Sequence, residues 1–231
     1  MKKYIFASCK NWHLRIFNKL SDAMPEAWVY VSNTNELENQ LLSFNPRYIF
    51  FLHWNWLVNE HVWQSHECVC FHMTDVPYGR GGSPLQNLIL AGHKQTKLTA
   101  LKMIKNMDAG PIYTKKTLKL DGSAQEIYIK AGELSAEMIK WIIENEPNPF
   151  PQQGEVVLFK RRSPEQSVLP KIATLPQIYD FIRMLDAESY PKAFIDYGEF
   201  LLNLSKAKFK NGRLTAKVEI KCKNETKVNT K

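Results

Sequence analysis

The strongest constraint on the fold is the alternation of short apolar segments with helical patterns along the first third of the chain. Four apolar or β-rich segments predict strands: residues 3–9, 27–31, 47–52 and 68–73. Between them, residues 12–20 and 35–44 carry apolar side chains at helical spacing, and Val62 lies in a shorter predicted helix. This order predicts an α/β, Rossmann-like, mostly parallel sheet with helices on both faces. Such sheets bind ligands beyond the carboxyl ends of their strands.

The middle of the chain continues this pattern. A glycine-rich loop precedes a helix at 84–90, two strands follow at 97–104 and 112–120, and the longest predicted helix covers 123–144. Ser123, with Glu126 three residues on, forms a predicted capping box at the start of that helix.

The last third predicts a separate, smaller region. Residues 145–154 contain three prolines and end in glycine, which favours a linker. We therefore expect domains at 1–150 and 151–231, the second a small α+β appendage. It has a helix at 177–185 and two β-rich runs joined by Asn211-Gly212, which predicts a β-hairpin.

Composition excludes several classes of protein. The 231 residues are 44% hydrophobic and 23% charged, which is ordinary for a globular protein and unlike a disordered, collagen-like or coiled-coil chain. No run of about 18 apolar residues predicts a membrane span. The N-terminus predicts a first strand rather than a signal peptide. The four cysteines form no disulfide framework, so we expect a reducing, cytoplasmic location.

Positive charge is concentrated at the end of the chain. Of the formal net charge of +8, residues 206–231 contribute +7, from nine Lys or Arg and two acids. A nucleic-acid-binding protein would spread this charge over its folded body. We therefore expect a solvated tail and no nucleic-acid partner, with an anionic partner such as tRNA as the alternative.

Two segments look like known binding motifs but do not have the spacing that those motifs require. Residues 79–82, Gly-Arg-Gly-Gly, match neither the dinucleotide fingerprint nor a P-loop, which argues against NAD binding and P-loop hydrolysis. His66, Cys68, Cys70 and His72 alternate along one strand, about 6.6 Å apart. Metal bonds of about 2.0 to 2.3 Å cannot bring all four to one ion, so no metal is predicted.

A histidine and an aspartate form the candidate reactive pair. His72 ends an apolar strand, and Asp108 starts an Asp-Ala-Gly-Pro turn between two later strands. If those strands pack beside the His72 strand, the carboxylate meets the imidazole at the mouth of the sheet, where it would orient the ring. The alternatives are a satisfied polar residue at a strand end and a simple turn.

Residues 71–86, Phe-His-Met-Thr-Asp-Val-Pro-Tyr-Gly-Arg-Gly-Gly-Ser-Pro-Leu-Gln, resemble the signature of folate-dependent formyltransferases. In that family a catalytic His ends a strand, and a catalytic Asp follows about 36 residues later in an Asp-x-Gly turn; here 108 − 72 = 36. Residues 92–96 resemble the family's Gly-x-x-x-Thr step. The resemblance covers about residues 48–145.

The resemblance implies roles for three residues, with one departure from the family pattern. The family usually has Asn two residues before the His, where this chain has Cys70, a poor hydrogen-bond donor. We expect Asn55, in the loop after the preceding strand, to supply the missing amide. His72 and Asn55 would then stabilise charge on the formyl oxygen, while Asp108 orients His72 and helps to move protons.

The resemblance also implies two binding regions. The donor N10-formyltetrahydrofolate would contact residues of two loops: Trp54, Trp56, Leu57, Met103, Ile104, Lys105 and Met107. The acceptor would contact residues beside the reacting amine or after the first strand: Lys10, Asn11, Tyr78 and Arg80.

Other segments indicate the acceptor. Residues 53–56, 159–167 and 179–194 resemble the branch that formylates nucleotide-linked amino sugars, of the UDP-4-amino-4,6-dideoxy type found in pseudaminic acid pathways. Methionyl-tRNA formylation is the nearest alternative, although those enzymes carry a substantial C-terminal β-barrel that holds tRNA. A non-catalytic folate or nucleotide-sugar binding module is another, supported by Cys70. The apolar C-terminal strands predict either a homodimer surface or a cover for the catalytic domain.

Overall fold

The computed structural model of the chain describes residues 1–171, 173–188 and 190–223. These residues form two compact units. The first comprises Met1–Pro84, Gln95–Leu118 and Ile129–Phe159, and the second comprises Leu85–Lys94, Lys119–Tyr128 and the described residues from Lys160 to Lys223.

A six-stranded sheet in the order β2-β1-β3-β4-β6-β7 forms the centre of the first unit. Its strands are β1 (Lys3–Ala7), β2 (Ala27–Val31), β3 (Tyr48–Phe51), β4 (Cys68–His72), β6 (Gln95–Lys102) and β7 (Ile112–Lys119). β2, β1, β3 and β4 are parallel, and β6 is antiparallel to β4. The mostly parallel α/β sheet expected from the sequence is therefore confirmed.

Both faces of this sheet are buried at its centre, which explains why β1, β3 and β4 are almost continuously apolar. On one face, Ile5, Ile49 and Phe51 join a core that takes in Leu37 and Val62. Those two residues belong to α2 (Thr34–Leu41) and α3 (Glu60–Ser65). The opposite face is aromatic, and its members are Tyr4, Phe6, Tyr48 and Phe50.

α1 (His13–Asp22) packs against the aromatic face, since the rings of Phe6 and Phe17 are 5.7 Å apart. The part of α5 (Ala124–Asn145) that belongs to the first unit lies against α1 at Gly132. A Cβ there would lie 2.7 Å from the Cδ1 of Ile16. Helices therefore cover both faces of the sheet, as the sequence predicts.

The second unit contains helices and an antiparallel sheet. α4 (Pro84–Leu90) falls almost wholly in it, followed by a 3-10 turn at Pro164–Ser167 and α6 (Leu175–Leu185). The sheet has the order β11-β10-β9, formed by β9 (Ala193–Tyr197), β10 (Phe200–Lys210) and β11 (Arg213–Cys222). Asn211 and Gly212 both adopt positive φ, +51° and +71°, as a two-residue hairpin turn requires. The predicted β-hairpin is confirmed.

The proline-rich segment returns to the first unit instead of leaving it. Phe150 exchanges backbone hydrogen bonds with Ile112, and β8 (Val157–Phe159) pairs in parallel with β5 (Tyr78–Gly81). Residues 151–159 therefore belong to the same unit as the sheet. The compact units have other boundaries than residues 150 and 151. The division into domains at 1–150 and 151–231 therefore stays a prediction.

Among the described residues, no helix combines the length and apolar character needed to cross a bilayer.

Candidate active site

His72 is the last residue of β4, and its imidazole is held by the loop that follows. Its Nε2 lies 2.8 Å from the carbonyl oxygen of Gly79. A carbonyl oxygen only accepts hydrogen bonds, so Nε2 carries the proton and Nδ1 has the lone pair in the neutral ring. The same carbonyl accepts from Thr74 Oγ1, whose own backbone oxygen accepts from Thr99 Oγ1 at 2.7 Å. The ring is therefore fixed in one orientation and one tautomer.

The structure brings Asp108 to the free nitrogen of that ring. Asp108 Oδ1 lies 3.6 Å from His72 Nδ1, and both side chains are largely buried. The other carboxylate oxygen accepts from the backbone N–H of Gly81 at 3.0 Å. The separation of 3.6 Å exceeds a direct hydrogen bond, so the two acceptor atoms converge on one small space.

Asp108 reaches His72 through the loop that follows β6. β6 runs antiparallel to β4, pairing Lys102 with Val69, so it ends beside the start of β4 rather than beside His72. The loop after β6 then folds back until Asp108 lies against the carboxyl end of β4. The predicted meeting of the two side chains is present. β6 packs beside the His72 strand, which is the condition on which that prediction rested.

The turn that carries Asp108 is tight. Asp108 adopts a φ of +53°, a left-handed conformation that is uncommon for residues other than glycine. At Gly110, a Cβ would lie 1.7 Å from the carbonyl oxygen of Lys102, so only glycine fits. The Asp-x-Gly spacing is thus required by the backbone as well as by the chemistry.

Gln152 is a site residue that the sequence did not reveal. Its Nε2 donates to the carbonyl oxygens of Asp108 and Gly110, both at 2.8 Å. Its Oε1 accepts from Nε and Nη2 of Arg80 at 3.0 and 2.8 Å. Residue 152 lies in the segment interpreted as a linker, and no local pattern marks it as part of a site.

Cys70 occupies the position where the family usually has asparagine. Burial raises the pKa of its thiol, and the negative charge of Asp108 raises it further. Burial likewise raises the pKa of Cys68 to about 12. Since the thiolate is the nucleophilic and metal-binding form, neither sulfur is activated. No group of three or more metal-binding side chains occurs within the described ranges.

Asn55 lies exposed in the loop after β3, the strand that pairs with β4. In the part of the chain that the structure describes, no hydrogen bond joins it to His72 or Asp108. Its place on a neighbouring loop agrees with the expectation, but its role at the formyl oxygen stays a prediction.

The two predicted folate loops share one side of the sheet. Trp54 and Met103 pack against the same apolar core as Cys70, and the Trp54 and Trp56 rings lie edge to face at 5.1 Å. Four further members are exposed and hydrophobic: Trp56, Leu57, Ile104 and Met107. Lys105, beside Ile104, is also exposed. The Nε1 of Trp54 is buried without a hydrogen-bond partner among the described residues, which leaves a donor for a polar ring edge. These residues therefore fit a flat heteroaromatic ring.

The four candidate acceptor residues fall into two groups. Arg80 and Tyr78 flank Gly79, whose carbonyl holds His72, and the Tyr78 ring packs edge-on against Phe159. Lys10 and Asn11 follow β1, with the Lys10 ammonium 5.6 Å from the centre of the Trp12 ring. The first group is adjacent to the reactive pair, and the second lies two strands away in the sheet.

Comparison with known proteins finds similar formyltransferases. The family model for the C-terminal domain of methionyl-tRNA formyltransferase matches residues 164–221. A solved methionyl-tRNA formyltransferase from Clostridium thermocellum is 41% identical, with a TM-score of 0.93, over 96% of this chain and 100% of that one.

Curated relatives are more distant and longer. The methionyl-tRNA formyltransferase of Rickettsia massiliae is 23% identical over 84% of this chain and 69% of its own length. That of Lactobacillus gasseri is 30% identical over 54% of this chain and 41% of its own length. The chain therefore spans well under the full length of these relatives.

Two further solved structures share the fold. A 4-N formyltransferase from Francisella tularensis has a TM-score of 0.66 at 16% identity, over 94% of this chain and 97% of that one. HypX from Aquifex aeolicus, solved with tetrahydrofolic acid, has a TM-score of 0.70 at 18% identity, over 91% of this chain and 39% of that one. The identity and coverage of the Clostridium structure decide the family. The chain belongs to the methionyl-tRNA formyltransferase-like family of folate-dependent formyltransferases, whose one-carbon donor is N10-formyltetrahydrofolate.

Proposed function

We propose that this chain moves a formyl group from N10-formyltetrahydrofolate to a primary amine, and that the amine belongs to a nucleotide-linked amino sugar. The observation that carries the proposal is the convergence of His72 Nδ1 and Asp108 Oδ1, 3.6 Å apart, on one space. Both atoms accept hydrogen bonds when the imidazole is neutral, and an arriving amine or ammonium group has N–H groups for both.

His72 and Asp108 would manage the proton of the attacking amine. Nδ1 of His72 takes the proton, because Nε2 is already committed to the Gly79 carbonyl. The imidazolium so formed lies beside the Asp108 carboxylate, which stabilises its charge. The amine nitrogen bonds to the formyl carbon, the bond from that carbon to the folate nitrogen breaks, and the proton passes to that nitrogen. The products are the formamide and tetrahydrofolate.

Negative charge develops on the formyl oxygen during this attack, so a hydrogen-bond donor is needed there. We assign that role to Asn55, because the single N–H of the neutral His72 ring donates to the Gly79 carbonyl. His72, expected from the resemblance to share the role, can donate from Nδ1 only after it has taken the amine proton. The raised pKa of the Cys70 thiol keeps that residue neutral, which makes it a bystander rather than a nucleophile.

Trp54, Met103 and their neighbours on the two loops would hold the donor. The exposed apolar surface of Trp56, Leu57 and Met107 would cover its ring, and the buried Nε1 of Trp54 is available to read a polar edge. When bound, the donor supplies the one-carbon group.

The amino-sugar acceptor rests on the resemblance of residues 53–56, 159–167 and 179–194 to that branch of the family. It is supported by the distribution of charge, because residues 1–205 are nearly neutral. Tyr78 and Arg80, which flank Gly79, would contact the sugar, and Lys10 and Asn11 its pyrophosphate. The four cysteines are free, which is compatible with the reducing cytoplasm that we propose as the location.

Methionyl-tRNA is the second candidate acceptor, and two observations favour it. Residues 164–221 match the C-terminal domain of the tRNA enzymes. In addition, β10 and β11 place Lys208, Lys210, Arg213 and Lys217 on one exposed face, since Lys208 pairs with Thr215 and Lys210 with Arg213. Such a row of cations suits a phosphate backbone.

The two acceptors are separated by a transfer assay read by mass spectrometry. Purified protein is mixed with N10-formyltetrahydrofolate and either a panel of nucleotide-linked 4-amino sugars or charged methionyl-tRNA. The proposal predicts a formyl mass gain on a sugar, lost in His72→Ala. A gain on the tRNA alone would replace the sugar by the second candidate. No gain on either acceptor would refute formyl transfer by this site.

A charge variant provides the matched control. Replacing the cations at 208, 210, 213 and 217 by Gln leaves sugar formylation unchanged if the sugar is the acceptor. The same variant weakens tRNA formylation and flattens its salt dependence if the basic face binds RNA.

A further inference from the structure

The side chain of Gln152 makes four hydrogen bonds at the site, two to the turn that carries Asp108 and two to Arg80. We propose that Gln152 is a positioning residue for formyl transfer, acting through Asp108, and that Arg80 holds it in place. This inference rests on the proposed role of the His72–Asp108 pair.

The Gln152 amide uses its whole hydrogen-bonding capacity. Two N–H groups go to the Asp108 and Gly110 carbonyls, and two lone pairs accept from Arg80. Its orientation follows from the partners alone, because a guanidinium only donates and a carbonyl only accepts. A flipped amide would lose all four hydrogen bonds, so the side chain has one arrangement.

The turn it holds needs outside support. Asp108 stays in the left-handed region at a φ of +53°, a conformation that is strained for a non-glycine residue. The bonds from Gln152 fix the carbonyls at both ends of the Asp-Ala-Gly turn. The Gly81 N–H fixes one carboxylate oxygen from the other side. Between them they aim the remaining oxygen at His72.

The backbone of Gln152 is anchored independently of its side chain. Phe150 exchanges two backbone bonds with Ile112, at 2.7 and 2.9 Å, and β8 pairs with β5 on the other side. Replacing the side chain therefore leaves the segment in place and removes the support of the turn only. A substitution at residue 152 can therefore test the positioning role of the side chain without unfolding the segment.

Arg80 links the amide to the loop after His72. Two of the five N–H groups of its guanidinium donate to Gln152. The other three N–H groups can make the contact with the acceptor that the sequence predicts. One chain of hydrogen bonds thus connects the loop that holds His72 to the turn that holds Asp108. These hydrogen bonds would hold His72 and Asp108 in fixed positions relative to each other.

The test is Gln152→Met, which keeps the length of the side chain and removes its hydrogen bonds. Displacing a reacting group by about 1 Å costs about 10²-fold, so we expect kcat to fall by about 10- to 100-fold with KM for the folate changed by less than about threefold. Gln153→Met, one residue further on and exposed, is the matched control and should behave as wild type.

Two readouts separate positioning from general damage. In an Asp108→Asn background, Gln152→Met should cost nothing further, because its effect passes through Asp108. A crystal structure of Gln152→Met should show the Asp108 carboxylate displaced from His72 Nδ1, whatever the activity. If Gln152→Met does not fold, Gln152→Glu, which keeps the Arg80 contact, replaces it with the same expectations.

The proposal is overturned if kcat is unchanged, if the loss is equally large without the Asp108 carboxylate, or if Asp108 stays in place in the crystal. Absence of formyl transfer by the wild-type protein would instead contradict the proposed function. The crystallographic comparison still decides the role of Gln152 in that case.

Discussion

Asp108→Asn is the sharpest test of the reactive pair, because it changes a charge and almost nothing else. The amide has the size and shape of the carboxylate, and its oxygen can still accept from the Gly81 N–H that now binds Oδ2 at 3.0 Å. Its NH₂ group then points at His72 Nδ1. The fold should therefore survive, while the free lone pair of the imidazole is occupied by a neutral donor.

The expected loss follows from the geometry. Unit charges 3.6 Å apart attract by about 4.6 kcal/mol at an effective dielectric constant of about 20. This is the stabilisation that the carboxylate gives to an imidazolium formed during proton transfer. At 1.36 kcal/mol per factor of ten, removing it lowers the rate by about 10³-fold. The figure is an upper limit, since the imidazolium carries its full charge only when transfer is complete.

The assay is single-turnover formyl transfer at saturating donor, with thermal unfolding measured on the same preparation. Asp75→Asn is the matched control. Asp75 lies in the loop after His72, is half-exposed and forms an ion pair with Lys115 of β7. We expect a fall of two to three orders of magnitude for Asp108→Asn, about threefold or less for Asp75→Asn, and similar melting temperatures. A rate for Asp108→Asn within about threefold of wild type would refute a catalytic charge at this position and reduce Asp108 to a turn residue.

Three further predictions concern other parts of the molecule. Asn55→Ala should lower kcat by about 10²- to 10³-fold while Cys70→Asn changes it little, and a large gain in Cys70→Asn would show that the donor belongs at residue 70. Burial and the charge of Lys10 lower the pKa of His13 to about 4, below the unfolded value of about 6.5. The unfolded chain therefore binds the proton more tightly, and stability falls by about 2 kcal/mol from pH 7 to 5. Urea titrations should show this loss reduced in His13→Gln and kept in the control His61→Gln. If the apolar face of β11 forms a homodimer, Ile220→Lys should give a monomer by light scattering, and a monomeric wild type would contradict that interface.

The parts of the fold that the sequence predicts are those set by local signals, namely continuous burial along a strand and the backbone angles of a turn. Strands covered on both faces are continuously apolar, so β3 and β4 were visible as short runs between helical patterns. The hairpin at Asn211-Gly212 was visible because few residue pairs tolerate two positive φ angles in succession. Both signals are local, and the tertiary structure did not override them.

The direction of β6 and the contacts of Gln152 were not visible, because both depend on residues far apart in sequence. An apolar strand gives no sign of whether it runs parallel or antiparallel to β4, and this direction decides how Asp108 reaches His72. Gln152 directly follows a segment with three prolines, at 147, 149 and 151, a composition that is typical of linkers. Prolines also suit an extended segment that makes few backbone bonds, which is how 146–156 passes along the sheet unit.

The spacing of 36 residues between His72 and Asp108 has a structural reason. The residues between the two include β5, α4 and β6, and their summed length fixes where the turn after β6 falls. An insertion anywhere in that stretch would move Asp108 unless a loop absorbed it. The turn itself tolerates no such change, since Gly110 has no room for a Cβ against Lys102. The spacing along the chain therefore brings His72 and Asp108 together. Their exact geometry is fixed by tertiary contacts, such as those of Gln152, which the spacing does not reveal.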